Sequence, residues 1–352
     1  MTKSKFFSVI AFFAIFLNAC SDDTIDTKEP LGDYEKGYFV TNEGPFQNGT
    51  GTITFVGDDG KVSQNVYKTV NSEDLGNIVN SMTIADDKAY IVVNNSNKVV
   101  VVNRFTMEKE GEISGNSIVN PRFFVAYNGK GYVSNWGDPL NTTDDFIAVV
   151  SLSTNTVLKT IPVGEGPEKM IINGDKLYVC LQGGFGTNDQ VVVIGTSDDT
   201  VQANLTVGDV PNSIVTDSKG DLWVLCGGNP SWTGNETPGF LYKIVSGNNA
   251  LSSFEFGLSE HPSLLNEDMG KLYYSLNGEV FQMNDSDENL PADALAGLSG
   301  FYYSMRVHNA ELYATDAGDY ASEGSLKVFT ISSGSLLETI TTGIIPGEVV
   351  FP

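Results

Sequence analysis

Short apolar runs separated by polar turns fill nearly the whole chain after residue 36, and one run keeps returning. It reads KGYFV around Tyr38, KAYIV around Tyr90, KGYVS around Tyr132, KLYVC around Tyr178, DLWVL around Trp223, KLYYS around Tyr273 and ELYAT around Tyr313. Successive aromatics stand 52, 42, 46, 45, 50 and 40 residues apart. Self-similarity at this period marks a propeller or a solenoid, in which each repeat is one supersecondary unit packed only on its neighbours. Each repeat follows one order. A turn with Pro or Asn leads into a short strand, and a polar turn precedes the aromatic strand. A loop of variable length then reaches an apolar strand such as KVVVVN or QVVVIG, and a hairpin gives a last strand such as VLKTIPV. These four strands read as a, b, c and d of an antiparallel blade. The enrichment in Val, Ile, Tyr, Thr and Phe is that of β structure. No long amphipathic helix is expected, only a short helical turn at 291–298.

The two ends complement each other. IPGEVVFP has the sequence of an a strand with no b strand after it, and GYFVTN is a b strand with no a strand before it. Together they complete a seventh blade, with 37–67 as b, c and d and 345–351 as a. The expected fold is therefore all-β: a seven-bladed β-propeller with four antiparallel strands per blade, closed by pairing the N- and C-terminal strands, in a single domain at 37–352. Closure removes the open sheet edges that would template aggregation.

The first residues read differently. Lys3 and Lys5 precede an apolar run at 6–17, too short for a stable span. Leu17-Asn18-Ala19-Cys20 resembles a lipobox, which makes 1–19 a lipoprotein signal peptide and Cys20 the lipidation site. Ser21-Asp22-Asp23 resembles the acidic tag that sends lipoproteins of the Bacteroidota to the outer face of the outer membrane. Polar residues 20–36 are expected to form a flexible tether. The chain is thus expected on the outer membrane, lipid-anchored and facing the exterior.

The formal charge of −24 opposes phosphate backbones, so nucleic acid is not an expected partner. Cys180 and Cys226 lie in equivalent strands one register apart; they should point to opposite sheet faces and stay as buried, unpaired thiols.

Strand alternation places the b-to-c loops and the d-to-a lead-ins on one rim, and the short a-to-b turns (DDK, NGK, NGDK, NAE) on the other. The loops carry Phe46, Trp136, Phe185, Trp232 and Tyr320. The lead-ins carry Arg122, Lys169, His261, Tyr303 and Arg306, with Asn80, Asn120, Asn212 and Glu348. Aromatic rings with a few polar groups on variable loops suit a medium-sized organic ligand. Only two histidines occur, and no HExxH, P-loop or Ser-His-Asp spacing is present, so catalysis is not expected. Abundant carboxylates leave a Ca²⁺ site open as an alternative, with Glu43, Asn135, Asn212 and Glu348 converging on the axis.

The LNAC and SDD signals, the turn Asn42-Glu43-Gly44 and the lead-ins VGEGP and VGDVP together resemble the YncE-like seven-bladed surface lipoproteins of the Bacteroidota. The resemblance implies capture of cobalamin at the cell surface and its delivery to a TonB-dependent outer-membrane transporter, with no cofactor of the protein's own. Related readings are a siderophore-capturing propeller, a metal-dependent lactonase- or lyase-like propeller, and a protein-interaction scaffold. No cobalamin contact carries over residue by residue.

Overall fold

The computed structural model describes residues 1, 31–46 and 49–352, and in it the repeat becomes seven antiparallel sheets. The expected signal peptide, lipidation site Cys20 and acidic tag lie outside the described residues. Among those described, no helix is long and apolar enough to cross a membrane.

Blade 1 is the split one: Pro346–Val350 pairs antiparallel with Gly37–Asn42, which continues to Thr52–Gly57 and a two-residue strand Val62–Ser63. In strand order a to d, blade 2 is Val79–Ala85, Lys88–Val93, Lys98–Asn103 and Lys109–Ser114. Blade 3 is Pro121–Tyr127, Lys130–Asn135, Phe146–Ser151 and Thr156–Pro162. Blade 4 is Pro167–Asn173, Lys176–Leu181, Gln190–Gly195 and Thr200–Thr206. Blade 5 is Pro211–Thr216, Leu222–Cys226, Phe240–Ile244 and Leu251–Glu255. Blade 6 is Ser263–Asp268, Lys271–Leu276 and Glu279–Asn284, and blade 7 is Ser304–His308, Glu311–Asp316, Glu323–Thr330 and Ser335–Ile344.

Three details differ from the sequence reading. In blade 1 the outer strand is cut to two residues, and the helix Val66–Asn71 follows it, burying Val66 and Tyr67 against blade 2. In blade 6 the outer position is taken by the irregular segment 285–303, where the helical turn expected at 291–298 is reduced to one hydrogen-bonded turn, Leu298 N to Leu295 O. Its backbone also bonds to strand c: Leu295 N donates to Val280 O, Val280 N to Leu298 O, and Leu298 is fully buried between blades 6 and 7. Finally, the tail of the expected tether is packed. Leu31–Pro352 forms one unit; Tyr34 N donates to Phe105 O at 2.9 Å and its ring meets Phe55 edge-on, which anchors 31–36 to the propeller.

The core is not central but lies between blades. Among the described residues seven buried clusters form, one per interface, each drawing on two adjacent blades; the last joins Tyr313, Leu326 and Val328 of blade 7 to Val40, Val56 and Val349 of blade 1. The recurring aromatics sit in these interfaces, and two act as pins: Tyr132 OH donates to Asp199 Oδ1 and Tyr178 OH to Asn249 Oδ1, both in the c-to-d hairpin of the next blade. Cys180 and Cys226 point to opposite faces of their own blades and therefore into the same interface. Both are free and buried; burial pushes the Cys180 thiol up to about 12 and raises that of Cys226, which keeps them protonated and unreactive.

Deleting residues 345–352 removes the inner strand of blade 1 and bares two edges. The truncated chain should lose its single cooperative thermal transition, followed by circular dichroism; an unchanged transition would mean the terminal pairing does not hold the ring.

Candidate functional site

Five of the seven a strands are brought to the axis by the same local device. The residue before the strand's start adopts positive φ: Ile78 (62°), Asn120 (48°), Gly166 (70°), Val210 (58°) and Ile345 (54°). Its carbonyl accepts from the chain leaving strand b: Asn94 N to Ile78 O, Trp136 N to Asn120 O, Gln182 N to Gly166 O, Gly227 N to Val210 O, Glu43 N to Ile345 O. A register shift follows at once, so that one or two residues bulge from the ladder toward the axis. Left-handed backbone is costly for the β-branched Ile78, Val210 and Ile345. This geometry confirms that the loops and lead-ins share one rim.

The bulges present Asn80, Arg122, Glu168 with Lys169, Asn212 and Glu348. Arg122 Nε donates to Glu168 Oε1 at 2.8 Å, and its guanidinium carbon lies 4.4 Å over the Trp136 ring. Glu168 is only 5% exposed. Desolvation raises its pKa, and Arg122 opposes the rise. Lys169 Nζ lies 3.6 Å from Glu348 Oε1. That pair joins blades 4 and 1, which are not neighbours, so it bars the channel. Glu348 Oε2 also accepts from Met82 N of blade 2 at 3.4 Å. Tyr303 OH donates to Glu43 Oε1 at 2.6 Å. Burial raises the Glu43 carboxyl, with Arg122 pulling the other way, and raises the Tyr303 phenol. Three carboxylates and two cations thus alternate across the axis.

The aromatic residues surround this centre. Trp136 and Phe185 meet edge-on at 5.9 Å, as do Tyr303 and Tyr320 at 6.0 Å. Trp136 Nε1 is buried with no hydrogen-bond partner among the described residues. Phe46, Phe185 and Trp232 are 68%, 76% and 84% exposed. Leu140, Leu258 and Phe301 are exposed on the same rim, whereas Met269 is the exposed large apolar side chain of the a-to-b turns. A folded protein rarely gathers so much bare apolar surface at one end without a use for it.

The expected site residues divide accordingly. Arg122, Trp136, Lys169, Phe185, Tyr303 and Tyr320 come together. Trp232 and His261 sit apart on blades 5 and 6, where His261 Nδ1 is 2.9 Å from Gly227 O and Nε2 is 3.7 Å from Glu236. Arg306 lies deeper, opposite Tyr313 in the ladder. The asparagines are spent on the scaffold: Asn80 Nδ2 donates to Arg122 O, Asn120 Nδ2 to Gly137 O, Asn212 Nδ2 to Pro262 O. Asn135 is wholly buried, binding Val133 O and Val119 N, and so leaves the axial cluster expected of it. Among the described residues, no three His, Cys, Asp or Glu side chains are grouped to hold a metal. Glu168 is the functional candidate that sequence reasoning missed. The signal was there: aligning Pro121-Arg122 with Pro167-Glu168 puts opposite charges at one position of adjacent blades.

With the site in view, the comparisons confirm the architecture. The propeller aligns with a quinonprotein alcohol dehydrogenase-like protein from Bacteroides thetaiotaomicron (TM-score 0.64, 15% identity, 90% of this chain and 78% of that one). It aligns also with hydrazine synthase of Kuenenia stuttgartiensis (TM-score 0.58, 17% identity, 75% and 86%) and with the computationally designed Ika8 protein (TM-score 0.58, 13% identity, 86% and 84%). Identities this low speak to fold alone. The chain belongs to the DUF5074 family, a domain of unknown function, whose model matches residues 36–251. No curated protein matches the sequence.

Two measurements probe the electrostatics. Arg122→Ala strands Glu168 without its partner and should cost about 3 kcal/mol in urea unfolding. Because a carboxyl with a raised pKa loses stability as pH rises through that pKa, the deficit should shrink toward acid pH; Arg122→Met with Glu168→Leu should lie close to the parent. Asp145 is buried on the same rim, and desolvation raises it to about 6 against a 2.6 Å bond from Gly166 N. Between pH 6 and pH 4 the folded state holds the proton that the unfolded chain has released, so this group adds stability as pH falls, on the order of 2 kcal/mol. Asp145→Asn should remove that slope.

Proposed function

We propose that this propeller is a binding protein that captures a medium-sized organic molecule on its loop-rich rim, a corrinoid such as cobalamin being the best candidate, and passes it to a TonB-dependent transporter in the outer membrane. The observation that carries the reading is the confinement of exposed aromatic rings to one rim, around a centre of alternating charges. Phe185 and Tyr320, with Trp136 edge-on to Phe185, offer faces for a large, partly apolar macrocycle, while Lys169, Arg122 and Glu43 can meet amide and phosphate groups at its edge. The resemblance to surface lipoprotein propellers supports the same reading, as does the lipobox-like LNAC ahead of the propeller. Pre-formed loops, tied back to the lead-ins by backbone bonds, favour binding without a large ordering cost.

Calorimetric titration of the full mature chain with cyanocobalamin should release heat with one-to-one stoichiometry. Phe185→Ala and Tyr320→Ala should each weaken binding by about tenfold or more, consistent with losing an aromatic anchor. Absence of heat with the parent protein removes corrinoids; a ferric siderophore that does titrate would keep capture and change the cargo.

A further inference from the structure

The axial channel continues beyond the bar made by Lys169 and Glu348. It encloses about 390 Å³, and its lining starts at those two residues and runs toward the plain rim. None of Asn80, Arg122, Glu168 or Asn212 lines it; it shares Lys169 and Glu348 with the decorated rim and lies on the plain side of them. The walls come from the a strands of all seven blades and expose polar and apolar surface in about equal measure, the apolar part at half-buried side chains such as Ile84, Phe123, Val215 and Leu264. Their polar side chains are already engaged: Thr83 Oγ1 donates to Phe124 O, and Asn266 binds Met305 O and Val307 N. One charged group remains. Arg306 lines the channel, is exposed to it, and makes no ion pair or side-chain hydrogen bond among the described residues. Lys169, the other lining cation, is neutralised by Glu348.

An unpaired guanidinium beside half-buried apolar side chains is an anion receptor, since it offers a planar fork of donors that matches a carboxylate. Its setting sharpens the point, because the sequence carries a formal charge of −24. A cation in such a chain has no shortage of acidic neighbours, yet among the described residues no carboxylate pairs with this one. We infer that the channel on the plain side of the bar is a second binding site, which takes a slender amphipathic carboxylate, with its acid group on Arg306 and its hydrocarbon against the a strands. This inference does not rest on the reading of the decorated rim.

Decanoate and decanol, titrated separately into the full mature chain by calorimetry, test it. Decanoate should bind at least about tenfold more tightly than decanol, the worth of one charge-assisted contact. Arg306→Gln should erase that preference while leaving decanol affinity unchanged, and Val215→Trp should block both. Trp232→Ala, on the other rim, should alter neither. Failure of decanoate to bind the parent, or equal affinity for decanoate and decanol, overturns the proposal; so does unchanged decanoate affinity in a folded Arg306→Gln. The parent comparison decides alone if the variant does not fold.

Discussion

No blade of this protein can bury its own apolar faces. A four-stranded sheet has two of them, and here both are covered only by the sheets on either side. Each buried side chain contributes roughly 1.5–3 kcal/mol, and nearly all of that gain lies in interfaces between blades. The requirement can be met at every blade only if the row closes on itself. That is why Val40 and Val349, more than three hundred positions apart, belong to one blade and face Tyr313.

Closure creates a second problem, which the chain solves with small polar side chains. The inner edges of seven a strands face one another around the axis, with backbone groups that lack a ladder partner. Side chains from the adjacent blade meet them. Ser81 and Thr83 reach the carbonyls of Arg122 and Phe124, Ser213 accepts from Leu265 N, Asn266 binds blade 7, and Thr315 reaches Gly347 O. The same edges then serve the site. Bulges at their starts swing charged residues inward, and the strained lead-ins fix where each bulge begins. Scaffold and site are thus built from consecutive residues of one strand.

This arrangement explains what could be read in advance. The aromatic strand was legible because interface burial repeats its demand seven times, and one residue type answers it each time. The shared rim was legible because strand direction alternates. The roles of individual polar residues were not. Asn80 and Asn212 occupy the positions of a ligand contact but satisfy backbone carbonyls, and nothing in their spacing separates those uses. The pair of Lys169 and Glu348 joins blades that are not neighbours, so no adjacent-repeat comparison exposes it. Arg306 was placed on the rim, although its ladder partner Tyr313 sets it deeper. Blade 6 was harder still, since Leu298 reaches its interface from an irregular segment with no strand pattern.

The split blade also sets an order of events. Strand Pro346–Val350 is synthesised after every other strand of the ring. Until it appears, Gly37–Asn42 has a bare inner edge and blade 7 an uncovered flank. The nascent polypeptide therefore passes through an open arc whose two ends are both adhesive, and the latch that protects them is the final piece delivered. A chaperone or a folding partner would have most to do in that interval, at the first strand made.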